Sequence, residues 1–177
     1  YAPDCYNKIG TYSQMNPPIR DKTHYDRLWY AVKNNLNDTI GSDHAPHLKK
    51  NKEKIYPNSP SGMPGVQTLV PVMLNHVNEG RLTLEQFMNF VCENPVKIFG
   101  IKDKGYIKQG FDADFTIVDL NKVIEIKNEN IQSKCGWSPF NGYKFKGTPV
   151  ATIVNGDIKM KDGKILGEPK GQPIVFK

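Results

Sequence analysis

The feature that most restricts how this chain folds is a change of period near residue 100. Before it, apolar residues recur every three or four positions; after it, they gather in short strand-like runs separated by Gly, Asn and Asp. A helical first part followed by a strand-and-turn second part selects an α/β plan that ends in a small antiparallel sheet. Tyr25, Leu28, Val32 and Leu36 predict a helix over residues 22–36 with one apolar face. Asp38-Thr39-Ile40-Gly41 then reads as a strand that stops at Ser42 and Asp43, which is the order of an α/β unit.

Further on, Val66, Leu69, Val70, Met73, Leu74 and Val77 predict a buried helix closed by Gly80 at C′. Pro71 is compatible with it only in its first turn, which leaves the start open. Thr83 and Gln86 form a capping-box pattern for a helix over 84–92, and Asn94-Pro95 starts a short helix that ends at Gly100. In the second part, ADFTIVDL (113–120) and VIEI (123–126) read as strands. Asn155-Gly156 sits between two further strand-like runs as a hairpin turn, and Asp162-Gly163 offers a second turn just after.

Charge and cysteine content exclude several functions. The 177 residues carry a formal net charge of +6, but only Arg20, Arg27 and Arg81 are arginine. Dispersed lysine without arginine clusters or interleaved aromatics argues against a nucleic-acid partner. The dense run LKKNKEK (48–54) reads as a mobile loop. Cys5, Cys92 and Cys135 are odd in number and widely spaced, so they suggest neither a disulfide framework nor a zinc knuckle, and they fit a reducing cytoplasm. No apolar run approaches the roughly 20 residues of a membrane span. A start at Tyr1 without a charged and apolar leader argues against a signal peptide and for a processed or truncated product.

The chemistry concentrates in GSDHAPH (41–47), where Asp43, His44 and His47 surround the stiff Pro46. An aspartate at the C-terminal end of a barrel strand stands where α/β barrels build their active sites. Carboxylate and imidazole together suit zinc or a similar ion. One carboxylate with neither HxH nor HExxH spacing suits a hydrogen-bonded turn equally well, so the residues alone leave both open.

Six blocks taken together carry a resemblance: NPPIR (16–20), GSDHAPH, SGMPG (61–65), ENPVKIFG (93–100), KGYIKQGFDADFTIVD (104–119) and SKCGWSPF (133–140). In order and spacing the chain resembles the C-terminal part of a dihydroorotase. Allantoinases and hydantoinases share the Asp-His turn and the ADFTIVD-like strand, while NPPIR with HAPH favours the dihydroorotase branch.

The resemblance implies the C-terminal part of a (β/α)8 TIM-type barrel over residues 1–100. Residues 101–177 would then supply the C-terminal strands of a small β-sandwich domain. It also implies zinc-dependent, reversible hydrolysis of dihydroorotate to N-carbamoyl-aspartate. Asp43 matches the family's metal ligand and general acid/base, His47 a contact to the substrate carboxylate, and Asn16 a contact to the pyrimidine ring. Ser61 and Gly62 match a loop pair that meets substrate through backbone groups. His44 matches without a defined role, and a structural histidine is its alternative.

Arg20 resembles a carboxylate clamp less than a surface or capping arginine, and His24 and His76 read as ordinary helical histidines. The family's remaining zinc ligands, for one ion or two, have no counterpart here. The expected partners are therefore the small-molecule substrate, the remainder of the same polypeptide and, as an option, a second copy in a homodimer. The chain alone is expected to be inert. Two other readings stay open: a different cyclic amidohydrolase, or an inactive amidohydrolase-like assembly subunit.

Overall fold

The structure is a computed structural model that describes residues 4–177; the Tyr1 start and the first three residues of the 1–100 region lie outside the described residues. The chain opens with a short helix α1 (Cys5–Ile9) and a 3-10 turn (Gly10–Ser13), then forms α2 (Lys22–Lys33) and α3 (Lys49–Lys52). Next come α4 (Leu69–Asn78), α5 (Leu84–Met88) and α6 (Asn94–Phe99). It ends in strands β1 (Phe115–Glu125), β2 (Lys144–Val154), β3 (Asp157–Lys161) and β4 (Lys164–Ile165), which form one antiparallel meander in that order.

Helix α4 organises the packing. It begins at Leu69, so Pro71 falls in the first turn, where its missing N–H has no carbonyl to serve. Its end is a Schellman closure on Gly80: Gly80 N–H donates to Val77 O at 3.0 Å and Arg81 N–H to His76 O at 3.0 Å. Met73 and Leu74 are buried with Leu82 and Phe87, and Trp29 and Val32 from α2 and Val118 and Leu120 from β1 pack on this cluster. The core therefore joins the helical part to the sheet. Two polar staples add to it: Asn78 Nδ2 donates to the carbonyls of Leu120 and Lys146, each at 3.0 Å, and Asn75 Oδ1 accepts Lys146 N–H at 3.0 Å.

Several expectations need correction. Helix α2 ends at Lys33 rather than residue 36, because Asn35 turns left-handed (φ 53°) and Leu36 N–H closes back on Ala31 O. Leu28 is 68 % exposed, so the packed face of α2 is set by Trp29 and Val32 instead. Residues 38–41 do not form a strand. A parallel strand needs neighbours, and here Ile40 N–H bonds to Phe90 O while Asp38 O accepts from Asn94 Nδ2. The motif itself makes one isolated parallel bridge, His44 to Met63.

The expected helix 84–92 and the short one expected to start at Asn94-Pro95 form one helical body, because a wider π turn (Asn89–Glu93) links α5 to α6 just where Pro95 lacks an N–H for the ordinary ladder. The capping box of Thr83 and Gln86 is present as expected, as is the left-handed Gly100 at the end.

In the sheet, the two segments 113–120 and 123–126 form one strand. The ladder jumps between Asp119 and Val123, and Asp119 Oδ1 accepts N–H from Asn121 and Lys122 across the jump. A second irregularity lies by Pro149, which cannot donate to the ladder. Both hairpin turns are found with paired positive φ angles, at Asn155-Gly156 and at Asp162-Gly163. The described residues form a single four-stranded sheet, and no second sheet is found among them. Cys5, Cys92 and Cys135 are free thiols. Among the described residues no helix is long and apolar enough to cross a membrane.

The sheet approaches α4 closely at Gly147 of β2, at φ 101°, where an added Cβ would come within 2.7 Å of Leu74 Cβ. Gly147→Ala combines backbone strain with overpacking and is expected to cost about 2–5 kcal/mol, whereas Gly156→Ala, in open space, should cost about 1–2. Urea unfolding of the two variants checks the ordering.

Candidate active site

Beyond the turn that closes α2 the chain passes through Gly41-Ser42 and bends at Asp43, whose φ is 42°. Aspartate is among the few side-chain-bearing residues that accept this left-handed conformation. The bend leaves Asp43 exposed on a cleft of about 440 Å³, walled by Pro17–Arg20, His24, the loop Met63–Gly65 and Phe140.

His44 turns the other way. Its Nδ1 accepts N–H from Gly65 at 3.1 Å and from Val66 at 3.4 Å. A nitrogen that accepts carries no proton, so the neutral ring has its proton on Nε2. His44 is thus bonded to the loop that precedes α4. His47 Nε2 lies 3.0 Å from Ser61 O. A carbonyl only accepts, so Nε2 donates there, and Nδ1 of the neutral ring can itself only accept. Meeting a substrate carboxylate therefore requires a protonated His47 or release of Ser61.

The loop 59–65 lies directly on this turn. Ala45 N–H donates to Met63 O at 3.0 Å. A Cβ on Gly62 (φ 134°) would come within 2.6 Å of Ala45 O and 3.1 Å of His47 Nε2, and one on Gly65 would run into Ser42 O. Trp137, 1 % exposed, seals the back: it packs with Met63 and Cys135 and donates from Nε1 to His47 O at 2.7 Å.

The lysine-rich run 48–54 is not a mobile loop. Lys49 to Lys52 form α3, and Lys52 is 0 % exposed while Lys49, Lys50 and Lys54 face solvent. Lys52 Nζ donates to Gln14 O at 2.9 Å and Pro60 O at 2.8 Å. Its own carbonyl accepts from Thr11 Oγ1 at 2.5 Å and Ser59 Oγ at 3.1 Å. Gln14 O also accepts Gly62 N–H at 3.0 Å, and Gln14 Nε2 donates to Ser59 O at 2.8 Å. The segment leading to Asn16 is thereby tied to the Ser61-Gly62 loop, with Asn16 and Ser61 themselves exposed. Burial pushes the Lys52 ammonium down to about 8.

Sequence reasoning missed Lys52, Gln14 and Trp137 as parts of the site, and set aside Arg20 and His24, which line the Asp43 cleft. Composition cannot show which of four neighbouring lysines points inward. His76 lies away from the cleft, half-buried against Trp29 and 3.1 Å from Glu79 Oε2.

The donor set does not hold a metal by itself. A structural or catalytic zinc takes three or four protein ligands. Among the described residues no group of three His, Cys, Asp or Glu side chains comes together, and the His44 and His47 nitrogens described above are engaged with backbone. Asp43 is the one carboxylate of the motif open to the cleft.

Comparison with known proteins sets this geometry in context. The model of the amidohydrolase family matches residues 19–159. A dihydroorotase of Pyrococcus furiosus is 40 % identical over 164 residues, covering 93 % of this chain and 38 % of the relative. An L-hydantoinase of Paenarthrobacter aurescens is 38 % identical over 170 residues, covering 93 % of this chain and 37 % of the relative. Among solved structures, an L-hydantoinase (dihydropyrimidinase) from Arthrobacter aurescens superposes with a TM-score of 0.91 at 38 % identity over 95 % of this chain. A D-hydantoinase gives 0.83 at 32 % over 90 %. The chain spans 38 % of the length of the first two relatives that it matches.

The ammonium of Lys52 leads to a pH dependence. Its proton is held at about 8 in the fold against an ordinary value of 10.5, so between those values the unfolded chain binds more protons and stability rises with pH. A neutral amine still has two N–H groups for its two carbonyls. In denaturant titrations, the stability of the protein relative to a Lys52→Met variant should increase from about pH 7.5 to about pH 9.5. A flat or falling difference would show that the amine holds its proton normally.

Proposed function

Because the chain belongs to the amidohydrolase family, we propose that it is the C-terminal part of a cyclic amide hydrolase of the dihydroorotase type, which interconverts dihydroorotate and N-carbamoyl-aspartate. In this reading, residues 1–100 are the last units of a barrel and residues 101–177 part of a small β domain. The likeness to a solved L-hydantoinase over 95 % of the chain supports the amide-hydrolase part of this reading. The observation that carries the reading is the left-handed Asp43, whose carboxylate opens onto a cleft walled by the NPPIR segment and the SGMPG loop.

Hydrolysis adds water across the ring amide: a C–O bond forms, the ring C–N bond breaks, and one proton must travel from the attacking water to the leaving nitrogen. Asp43 is the group to carry that proton, accepting it from water and delivering it to nitrogen, and in the reverse direction it starts protonated. Asn16 holds the ring or its open-chain form, Ser61 and Gly62 present backbone groups to it, and a protonated His47 meets the substrate carboxylate. Arg20, which lines the same cleft as Asp43, is a second candidate for that anion. His44 supports the loop rather than the substrate.

The reading includes zinc as cofactor. This chain contributes Asp43 to its coordination, and the other ligands belong to the remainder of the polypeptide. The working protein is then a cytoplasmic enzyme with a small-molecule substrate and no nucleic-acid partner, with a homodimer as one form of assembly.

A hydantoinase is the second reading, favoured by the 38 % identity and TM-score of 0.91 to a protein of that name. Against it, the NPPIR block together with HAPH is of the dihydroorotase kind, and cationic Arg20 in the cleft suits a substrate that carries a ring carboxylate.

The deciding experiment measures turnover of dihydroorotate, hydantoin and allantoin by the full-length protein and by its Asp43→Asn variant. Turnover of dihydroorotate is expected, with a loss of about 10²–10⁴-fold in kcat for the variant while its melting temperature holds. Turnover of hydantoin alone would select the second reading, and near-normal rates in Asp43→Asn would remove Asp43 from the mechanism.

A further inference from the structure

A fully buried lysine with no carboxylate beside it calls for a reason. Lys52 is 0 % exposed, and it spends its ammonium on two backbone carbonyls that belong to different segments, Gln14 and Pro60. An apolar residue of the same length would fill the space without the cost of burying a charge. It could not join those two segments. Each accepting carbonyl lies next to a candidate ligand contact: Gln14 is two residues before Asn16, and Pro60 immediately precedes Ser61.

The remaining bonds make the link a closed ring. Gln14 O receives both Lys52 Nζ and Gly62 N–H, Gln14 Nε2 reaches Ser59 O, and Thr11 and Ser59 hold the Lys52 carbonyl from either side. Movement of the 59–62 loop away from the 14–16 segment would break several of these bonds at once. Full burial also rules out a direct part in the chemistry, since the amine touches no open surface of the cleft.

We propose that Lys52 is a positioning residue that sets the gap between Asn16 and the Ser61-Gly62 loop, and so determines how tightly a ring substrate is held between them. This rests on the hydrolase reading for the identity of the ligand and on geometry alone for the link. Charge-assisted bonds to carbonyls are short and directional, which suits a spacer. Because the link acts on ligand contacts and not on Asp43, its loss affects binding more than turnover.

The test uses the full-length protein with Lys52→Met, which keeps the chain length and removes the donors, and Lys52→Arg, which keeps a cation with several donors. The expected result for Lys52→Met is a rise of about tenfold or more in KM for the cyclic amide, with kcat within about threefold, and partial recovery of KM in Lys52→Arg. Hydrogen exchange of the Gly62 and Ala45 amides should quicken by about tenfold while that of α4 is unchanged. A lowered melting temperature with normal KM and normal exchange in the loop would reduce Lys52 to a structural residue and overturn the proposal. Should Lys52→Met fail to fold, Thr11→Val loosens the same anchor, with a smaller KM rise expected and an unchanged KM counting against the proposal. If the unmodified protein hydrolyses no cyclic amide, the hydrolase reading fails. Exchange then decides the link: quickening confined to the loop supports it, and unchanged or uniformly faster exchange overturns it.

Discussion

The backbone of residues 59–65 lies so close to that of residues 41–47 that no β-carbon fits at Gly62 or Gly65. Everything else about the candidate site follows from this contact. It gives His44 backbone donors to accept, brings the Ser61 carbonyl to His47, and leaves Asp43 as the side chain that the turn sends outward. The His44 and His47 nitrogens are engaged with backbone, which ties the turn to the loop and leaves Asp43 as the motif's carboxylate open to the cleft.

The contact is held from two sides by different kinds of force. On one side, Trp137 and Met63 exclude water, and the indole N–H holds the His47 carbonyl. On the other, a buried ammonium ties the loop to the segment before Asn16. Apolar packing alone is non-directional and tolerates sliding; bonds to named carbonyls define a spacing. The cleft wall is held by both.

Helix α4 connects this site to the sheet. Its N-terminal approach passes His44, and its body carries the core against β1 and β2, with Gly147 allowing the closest approach. With this arrangement the chain superposes on a solved L-hydantoinase at a TM-score of 0.91. Leu28 on α2 and Val123 and Ile165 in the sheet are left exposed.

What the sequence determined by itself is what depends on neighbours in the chain. Helix periodicity, the Thr83–Gln86 capping box, the Gly80 and Gly100 closures and both hairpin turns were legible because each is settled by a few consecutive φ angles and local hydrogen bonds. The six motif blocks likewise carried the family. The tertiary structure decided the rest, because it depends on partners far away in sequence. Residues 38–41 have strand composition but no ladder to join, and one helical body runs through Pro95 because a π turn makes room for it. The interior was harder still to read. Nothing in LKKNKEK distinguishes Lys52 from the lysines beside it; only carbonyls 38 residues before it and 8 after it do so.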